Sequence, residues 1–222
     1  MTKRTWAVGM VTVAVLAGGG VLLASNMGFK LNYQLIRQTA GVSATGANTL
    51  AIPFNPQVGI ISSKTLMDDI GSASVASVAR YMRATNSYES YTGRVGTPNA
   101  NFTLATGEGY LVVMSTTTNY IVVGSHNPNA SITLNRQQAG VSATGANLFS
   151  FPYHHTANTS KALMDDIGSA SVASVARYIR ATNSYESYTG RVGTPNANFT
   201  VALGEAYLIV MSTTTNYIPS HY

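Results

Sequence analysis

The stretch "SKTLMDDIGSASVASVARYMRATNSYESYTGRVGTPNANFT" begins at Ser63 and returns from Ser160 as "SKALMDDIGSASVASVARYIRATNSYESYTGRVGTPNANFT". Residues 63–121 align with 160–218 without a gap, at an offset of 97. Six of the 59 positions differ: Thr65/Ala162, Met82/Ile179, Leu104/Val201, Thr106/Leu203, Gly109/Ala206 and Val112/Ile209. Upstream, "AGVSATGAN" at Ala40 returns at Ala139 with an offset of 99, so two residues are missing where "TLAIPFNPQVGIIS" faces "LFSFPYHHTANTS". The chain therefore divides into two tandem units, 26–125 and 126–222, each long enough to hold a small core.

The periodicities within one unit predict a β-rich fold. "NTLAIPF" is a short apolar run bounded by Pro53, the pattern of a buried strand. "SSKTLMDDIG" offers Ser62 or Ser63 as helix N-cap and Gly71 as the stop. "SVASVARYM" alternates Val75, Ser77, Ala79 and Tyr81 against Ala76, Val78, Arg80 and Met82, and "ATNS" with "YESYTG" completes a hairpin. "ANFTL", "YLVVMS" and "YIVVG" read as three further strands. The expected class is mainly β: two near-identical antiparallel domains, each with one short helix.

The chain opens "MTKRTWAVGMVTVAVLAGGGVLLASNMGFKLNY". Lys3 and Arg4 precede an uncharged stretch from Trp6 to Ala24, and small residues follow, the layout of an export signal over residues 1–25. A retained membrane anchor is the alternative, because 19 uncharged residues approach the length of a bilayer span. Loss of Lys3 and Arg4 leaves 11 of the 13 basic residues against 8 acidic ones, lowering the net charge from +5 to +3. Phosphate-binding proteins cluster their cations; here the arginines are spread singly, and no nucleic-acid partner is expected. There is no cysteine, so an exported domain must be held by its core or by assembly. Charged residues are only 9% of the chain, and the abundance of Ser, Thr, Asn, Gly and Tyr suits exposed sheet and turns.

A resemblance rests on the order "TGANTLAIPF … LMDDIG … SVARYM … YESYTG … NFTLATGEGYLVVMS … YIVVG". It resembles a small β module of secreted and surface proteins of bacteria, in which a G-x-N strand ending in Pro precedes a short helix, a V-x-x-Y strand and a G-x-GY hairpin. The matching residues are Gly46, Asn48, Pro53, Leu66, Ile70, Val78, Tyr81, Gly107, Gly109 and Tyr110 in the first copy. In the second they are Gly145, Asn147, Pro152, Leu163, Ile167, Val175, Tyr178, Gly204, Ala206 and Tyr207, with Ala206 departing from the pattern. The start "NMGFKLNY" and the ending "NYIPSHY" are similar to an uncharacterised family of exported two-copy bacterial proteins. The resemblance implies a surface location and no activity.

Candidate chemistry is sparse. Asp68-Asp69 and Asp165-Asp166 are carboxylate pairs related by the duplication, but adjacent helical aspartates point about 100° apart and read as helix-end acids. His154-His155 has no Cys or carboxylate at metal-ligand spacing, and His126 and His221 stand alone. No "G-x-S-x-G" elbow or phosphate-binding loop is present. The sequence thus predicts neither catalytic nor metal nor cofactor residues, and no enzyme. Tyr88, Tyr91, Tyr185 and Tyr188 fall near a hairpin tip and are candidates for contact with surface glycans or a partner protein. Asn101, Asn129, Asn158 and Asn198 match glycosylation acceptors.

The unit boundaries are asymmetric. Copy one finishes "YIVVGSHNPNASITLNRQ"; copy two finishes "YIPSHY", where Pro219 cannot donate to a ladder. Phe29, Leu31, Tyr33 and Leu35 alternate as a strand at the start. An open sheet edge invites pairing by another chain. The sequence-based expectation is head-to-tail assembly, with Phe29, Leu31, Tyr33 and Leu35 of one subunit meeting Tyr217 and Ile218 of the next. The function expected is a self-assembling extracellular filament or surface layer. The alternative is a non-polymerising surface module for carbohydrate or a partner protein. Contact with a membrane would follow only from retention of the first 25 residues.

Overall fold

The computed structural model describes residues 29–38, 46–53, 55–56, 59–96, 99–125, 130–136, 145–151, 153–193 and 196–220. Residues 1–25, expected as an export signal, and His126, Asn129, Pro152 and His221 lie outside them.

The fold is mainly β, in antiparallel sheets. In copy one, β2 (Asn48–Ala51), β6 (Gly109–Met114), β4 (Val75–Met82) and β5 (Ser87–Tyr91) form a four-stranded sheet in the order β2-β6-β4-β5. A smaller sheet has β7 (Thr118–Ser125) between β1 (Phe29–Leu35) and β3 (Asn55–Pro56). One helix, α1 (Ser63–Ile70), closes the unit. Copy two repeats the plan with β9 (Asn147–Ser150), α2 (Ser160–Ile167), β10 (Val172–Ile179), β11 (Ser184–Tyr188) and β12 (Ala206–Met211). Its second sheet is the pair β8 (Ile132–Leu134) and β13 (Thr215–Tyr217).

The helix is set by its ends. Ser62 accepts from the Thr65 amide while the Thr65 side chain reaches back to the Ser62 amide, a reciprocal cap. Gly71 stops it at φ 113°, a backbone state that glycine tolerates. Leu66, Met67 and Ile70 turn inward onto Leu50, Val75, Val78, Tyr110, Val112 and Met114 of the large sheet and Leu31, Leu35 and Val122 of the small one. The alternation expected in "SVASVARYM" is broken. A register shift between Val75 and Ser77 puts both Val75 and Val78 into the core. "ANFTL", expected as a strand, makes only an isolated bridge between Thr103 and Ser62.

The ends differ from expectation. β1 pairs along its whole length with β7 of its own copy, from Phe29 opposite Gly124 to Leu35 opposite Thr118. The slot reserved for a neighbour's strand in copy two is filled by β8, with Leu134 opposite Thr215. Each copy thus carries its own opening strand. Leu31, Leu35 and Tyr217 are buried, Tyr33 is half-buried and Ile218 is exposed. No helix among the described residues is long and apolar enough to cross a membrane.

Removal of the β1 contribution should therefore weaken a single chain. Leu35, 1% exposed, replaced by Ala should cost about 2–5 kcal/mol in denaturant unfolding. Ile218→Ala, on an exposed side chain, should stay within about 0.5 kcal/mol.

Candidate functional site

The outer face of each large sheet carries small and apolar residues, and the two copies meet there. Ala47, Ala79 and Leu111 of copy one are buried together with Val113 and, from copy two, Tyr178. The contacts come in exchanged pairs. The Ala51 amide donates to the Gly204 carbonyl and the Ser150 amide to the Gly107 carbonyl, both at 3.0 Å. A guanidinium nitrogen of Arg83 donates to the Arg136 carbonyl, and one of Arg180 to the Arg37 carbonyl. Gly107 lies beneath Ile132, and Gly204 beneath Tyr33. Residue i meets j and the equivalent of j meets the equivalent of i, the signature of a two-fold contact. The tandem copies form an internal pseudo-dimer.

Two positions lie beside their own equivalents. The hydroxyls of Tyr88 and Tyr185 are 2.6 Å apart. A Cβ built on Gly109 would stand 2.3 Å from the Cβ of Ala206. Two such atoms do not fit, so only one copy can carry alanine there. This explains a difference that the sequence alone reads as a departure from a turn pattern.

The tyrosines proposed as surface binders are largely spent on this packing. Tyr88 sits edge-on to Tyr81 and Tyr185 beside Tyr178, and burial raises the phenol pKa of both Tyr88 and Tyr185. Tyr188 belongs to the core of copy two, and Tyr91 packs against that of copy one.

The acid pairs tie helix to sheet. Asp68 pairs with Lys64 one turn back, and Asp165 with Lys161. Asp69 accepts from the Tyr120 hydroxyl at 2.8 Å, and Asp166 accepts from those of Tyr217 and Ser220. Neither pair converges on a shared space. The asparagine of the G-x-N motif is a clasp. Asn48 accepts from the Ile36 amide and donates to the Ile36 and Val112 carbonyls, and Asn147 repeats this with Asn135 and Ile209. Sequence reasoning missed this role, although the motif was visible. Asn101 and Asn198, matching glycosylation acceptors, each accept from a helix-start amide, Lys64 or Lys161. Asn158 is exposed.

The histidine pair splits: His154 is exposed, while His155 stacks on Phe151 with ring centres 3.8 Å apart. Burial lowers the His155 pKa. Among the described residues no group of three or more His, Cys, Asp or Glu stands together to hold a metal ion.

What stays exposed is repeated. Residues 83–103 and 180–200 are identical, and each ends its hairpin in a loop pinned by one asparagine. Asn99 Oδ1 accepts from the Thr92 amide at 2.8 Å and the Gly93 amide at 3.1 Å, and Asn196 does the same for Thr189 and Gly190. At the tips Val95 and Val192 are both 104% exposed.

A cleft of about 360 Å³ opens at the seam between the copies, lined among others by Tyr81, Arg83, Glu108, Ser131, Thr133 and Phe149. The Tyr110 hydroxyl donates to Glu108 Oε2 at 2.6 Å, and burial raises the Glu108 pKa. No protein-family model, curated protein or solved structure matches the chain.

Two tests follow from the seam. Gly109→Ala should destabilise the protein by about 1–3 kcal/mol through overpacking, and the exchange G109A/A206G should recover most of that loss, read by thermal and denaturant unfolding. A G109A protein as stable as wild type would mean the copies do not meet there. The second concerns pH. The folded-state pKa of His155 lies below its unfolded value, so the protonated form favours unfolding. Stability is full above the unfolded value of about 6.5 and falls as the pH drops below it, until the folded pKa is passed. His155→Phe should flatten that acid-side decline in denaturant midpoints.

Proposed function

We propose that the protein is an exported, non-catalytic structural unit that offers one surface twice and joins like copies of itself into an extracellular filament or layer. The observation that carries this reading is that the segments 83–103 and 180–200 are identical and each carries an exposed loop stretch, 93–96 and 190–193, with a fully exposed valine. Exposed positions tolerate substitution with little effect on stability, yet none of the six aligned differences falls on these faces. A face that pairs with itself normally closes a dimer. A body carrying two such faces has one left over after each pairing, so the chain of contacts stays open. The low charge content, 9%, leaves little electrostatic repulsion to oppose stacking.

Face-to-face assembly is favoured over exchange of β1. Extraction of Leu31 and Leu35, 3% and 1% exposed, would forfeit about 1.5–3 kcal/mol for each side chain, besides the β1–β7 ladder. The second reading uses the same two faces on a surface glycan or a partner protein, where two equal sites would cross-link a repetitive surface.

Sedimentation velocity and electron microscopy on the chain from Asn26 onward separate these readings. Wild type should extend into filaments or sheets as concentration rises. Val95→Asp alone should stop at pairs joined through the remaining face, and the V95D/V192D double variant should stay monomeric. A wild type that remains monomeric at every concentration would sink self-assembly and leave the cross-linking reading, to be tested on glycan arrays.

A further inference from the structure

The two-fold relation between the copies is broken again at Tyr33 and Ile132, beside the cleft. On one side of the seam Tyr33 lies over Gly204, where an added Cβ would be 2.9 Å from the ring, and its hydroxyl donates to the Ala51 carbonyl at 2.8 Å. The equivalent of Tyr33 is Ile132, over Gly107. The equivalent of Leu203 is Thr106. Replacing a phenol ring and an isobutyl group by smaller side chains leaves the space of about 360 Å³. That lies within the range of small-molecule sites, about 300–1,000 Å³.

The lining is also polarised relative to its counterpart. Arg180 spends donors on the carbonyls of Arg37, Ile36 and Gly46. Among the described residues Arg83 reaches only the Arg136 carbonyl, at 3.0 Å. A guanidinium has five N–H donors, and Arg83 is part of the cleft lining. Glu108 brings a carboxyl to the same space, Thr106 and Ser131 add hydroxyls, and Tyr81 and Phe149 supply aromatic surface.

We propose that this cleft is a binding site for an uncharged polyhydroxylated ligand, a neutral sugar residue or a short stretch of one. One guanidinium and one carboxyl facing a common space offset each other, so an anion would meet Glu108 and a cation Arg83. Vicinal hydroxyls can donate to the carboxyl and accept from the guanidinium at once, and an apolar sugar face suits a tyrosine ring. Of the segment 83–103 the cleft uses only Arg83, at its start, and the site does not depend on the exposed loop at Val95.

Saturation-transfer NMR tests it on the V95D/V192D chain, whose cleft is untouched, with methyl glycosides of glucose, galactose, mannose and N-acetylglucosamine as probes. At least one should receive saturation and titrate to a single site. The I132Y/T106L variant gives the cleft the side chains already present at Tyr33 and Leu203 and should abolish the signal while melting as a folded protein. Arg83→Ala, on a partly exposed side chain, should weaken binding at least tenfold and serves if I132Y/T106L fails to fold. No transfer from any probe, or transfer unchanged in both I132Y/T106L and R83A, would overturn the proposal. Binding confined to glucuronate or inorganic phosphate would overturn it equally, since the site would then be an anion site.

Discussion

The structure depends on one close approach, between Gly109 of β6 and Ala206 of β12, where the outer faces of the two large sheets meet. Sheets come this near only where side chains are small, and the neighbouring positions Ala47 and Ala79 keep that face low. At such an axis a residue is its own partner, so a change in one copy is felt against its twin. Bulk added at one of the two central positions must be absent from the other. Glycine in one copy and alanine in the other is the largest pair that fits without displacement. The Tyr88–Tyr185 hydroxyl contact obeys the opposite logic. A hydroxyl both donates and accepts, so two identical groups satisfy each other.

Around that axis each copy holds itself together with few charges and no cysteine. The polar clasps do the work that disulfides do in many exported domains. Asn48 fixes the chain after β1 to β2 and β6 through three hydrogen bonds. Asp69 fixes α1 to β7 through Tyr120. A hydrogen bond to a charged group contributes about 1.5–3 kcal/mol; here Tyr120 is buried while Asp69 is exposed, which places the contribution toward the lower end. Arg80 lies over Phe102 while pairing with Glu89 across the β4–β5 ladder, and Arg177 repeats this with Phe199 and Glu186. These arginines are consumed by packing, consistent with an absence of phosphate-seeking clusters in the sequence.

Local signals carried much of this fold. The limits of α1 follow from Ser62 and Gly71, and the β4–β5 hairpin from "ATNS", where Asn86 adopts φ 50° as the turn requires. Four of the five predicted strand segments of copy one after the helix formed. The bulge at Val75–Ser77 was not legible, because alternation on either side of it looks regular. The equivalence of β1 and β8 was hidden for a different reason. Their shared residues are few: Leu35 and Leu134, then Arg37 and Arg136. The sequence alone therefore assigns the first segment to a neighbouring subunit and the second to the end of copy one. Tyr88 and Tyr185, 39% and 38% exposed, meet each other across 97 residues of chain, a contact that periodicity does not carry, since it reports which face a residue is on but not what lies beside that face.

The same distinction bears on what duplication has done to the chain. At the seam the copies have had to diverge, as Gly109 and Ala206 show, or have been free to, as Tyr33 and Ile132 show. In the cores they exchange like for like, Val112 for Ile209. At the exposed loop tips around Val95 and Val192, where a substitution disturbs neither seam nor core, they are identical. Drift alone would reach those exposed positions most readily, since little packing opposes it there. Identity where the fold does not demand it is what the proposed assembly, in which both hairpins meet the same kind of surface, would require. At the seam, by contrast, the cleft lies beside Ile132 and Thr106, where the equivalent residues Tyr33 and Leu203 differ, so divergence there gives the two sides of the molecule different surfaces.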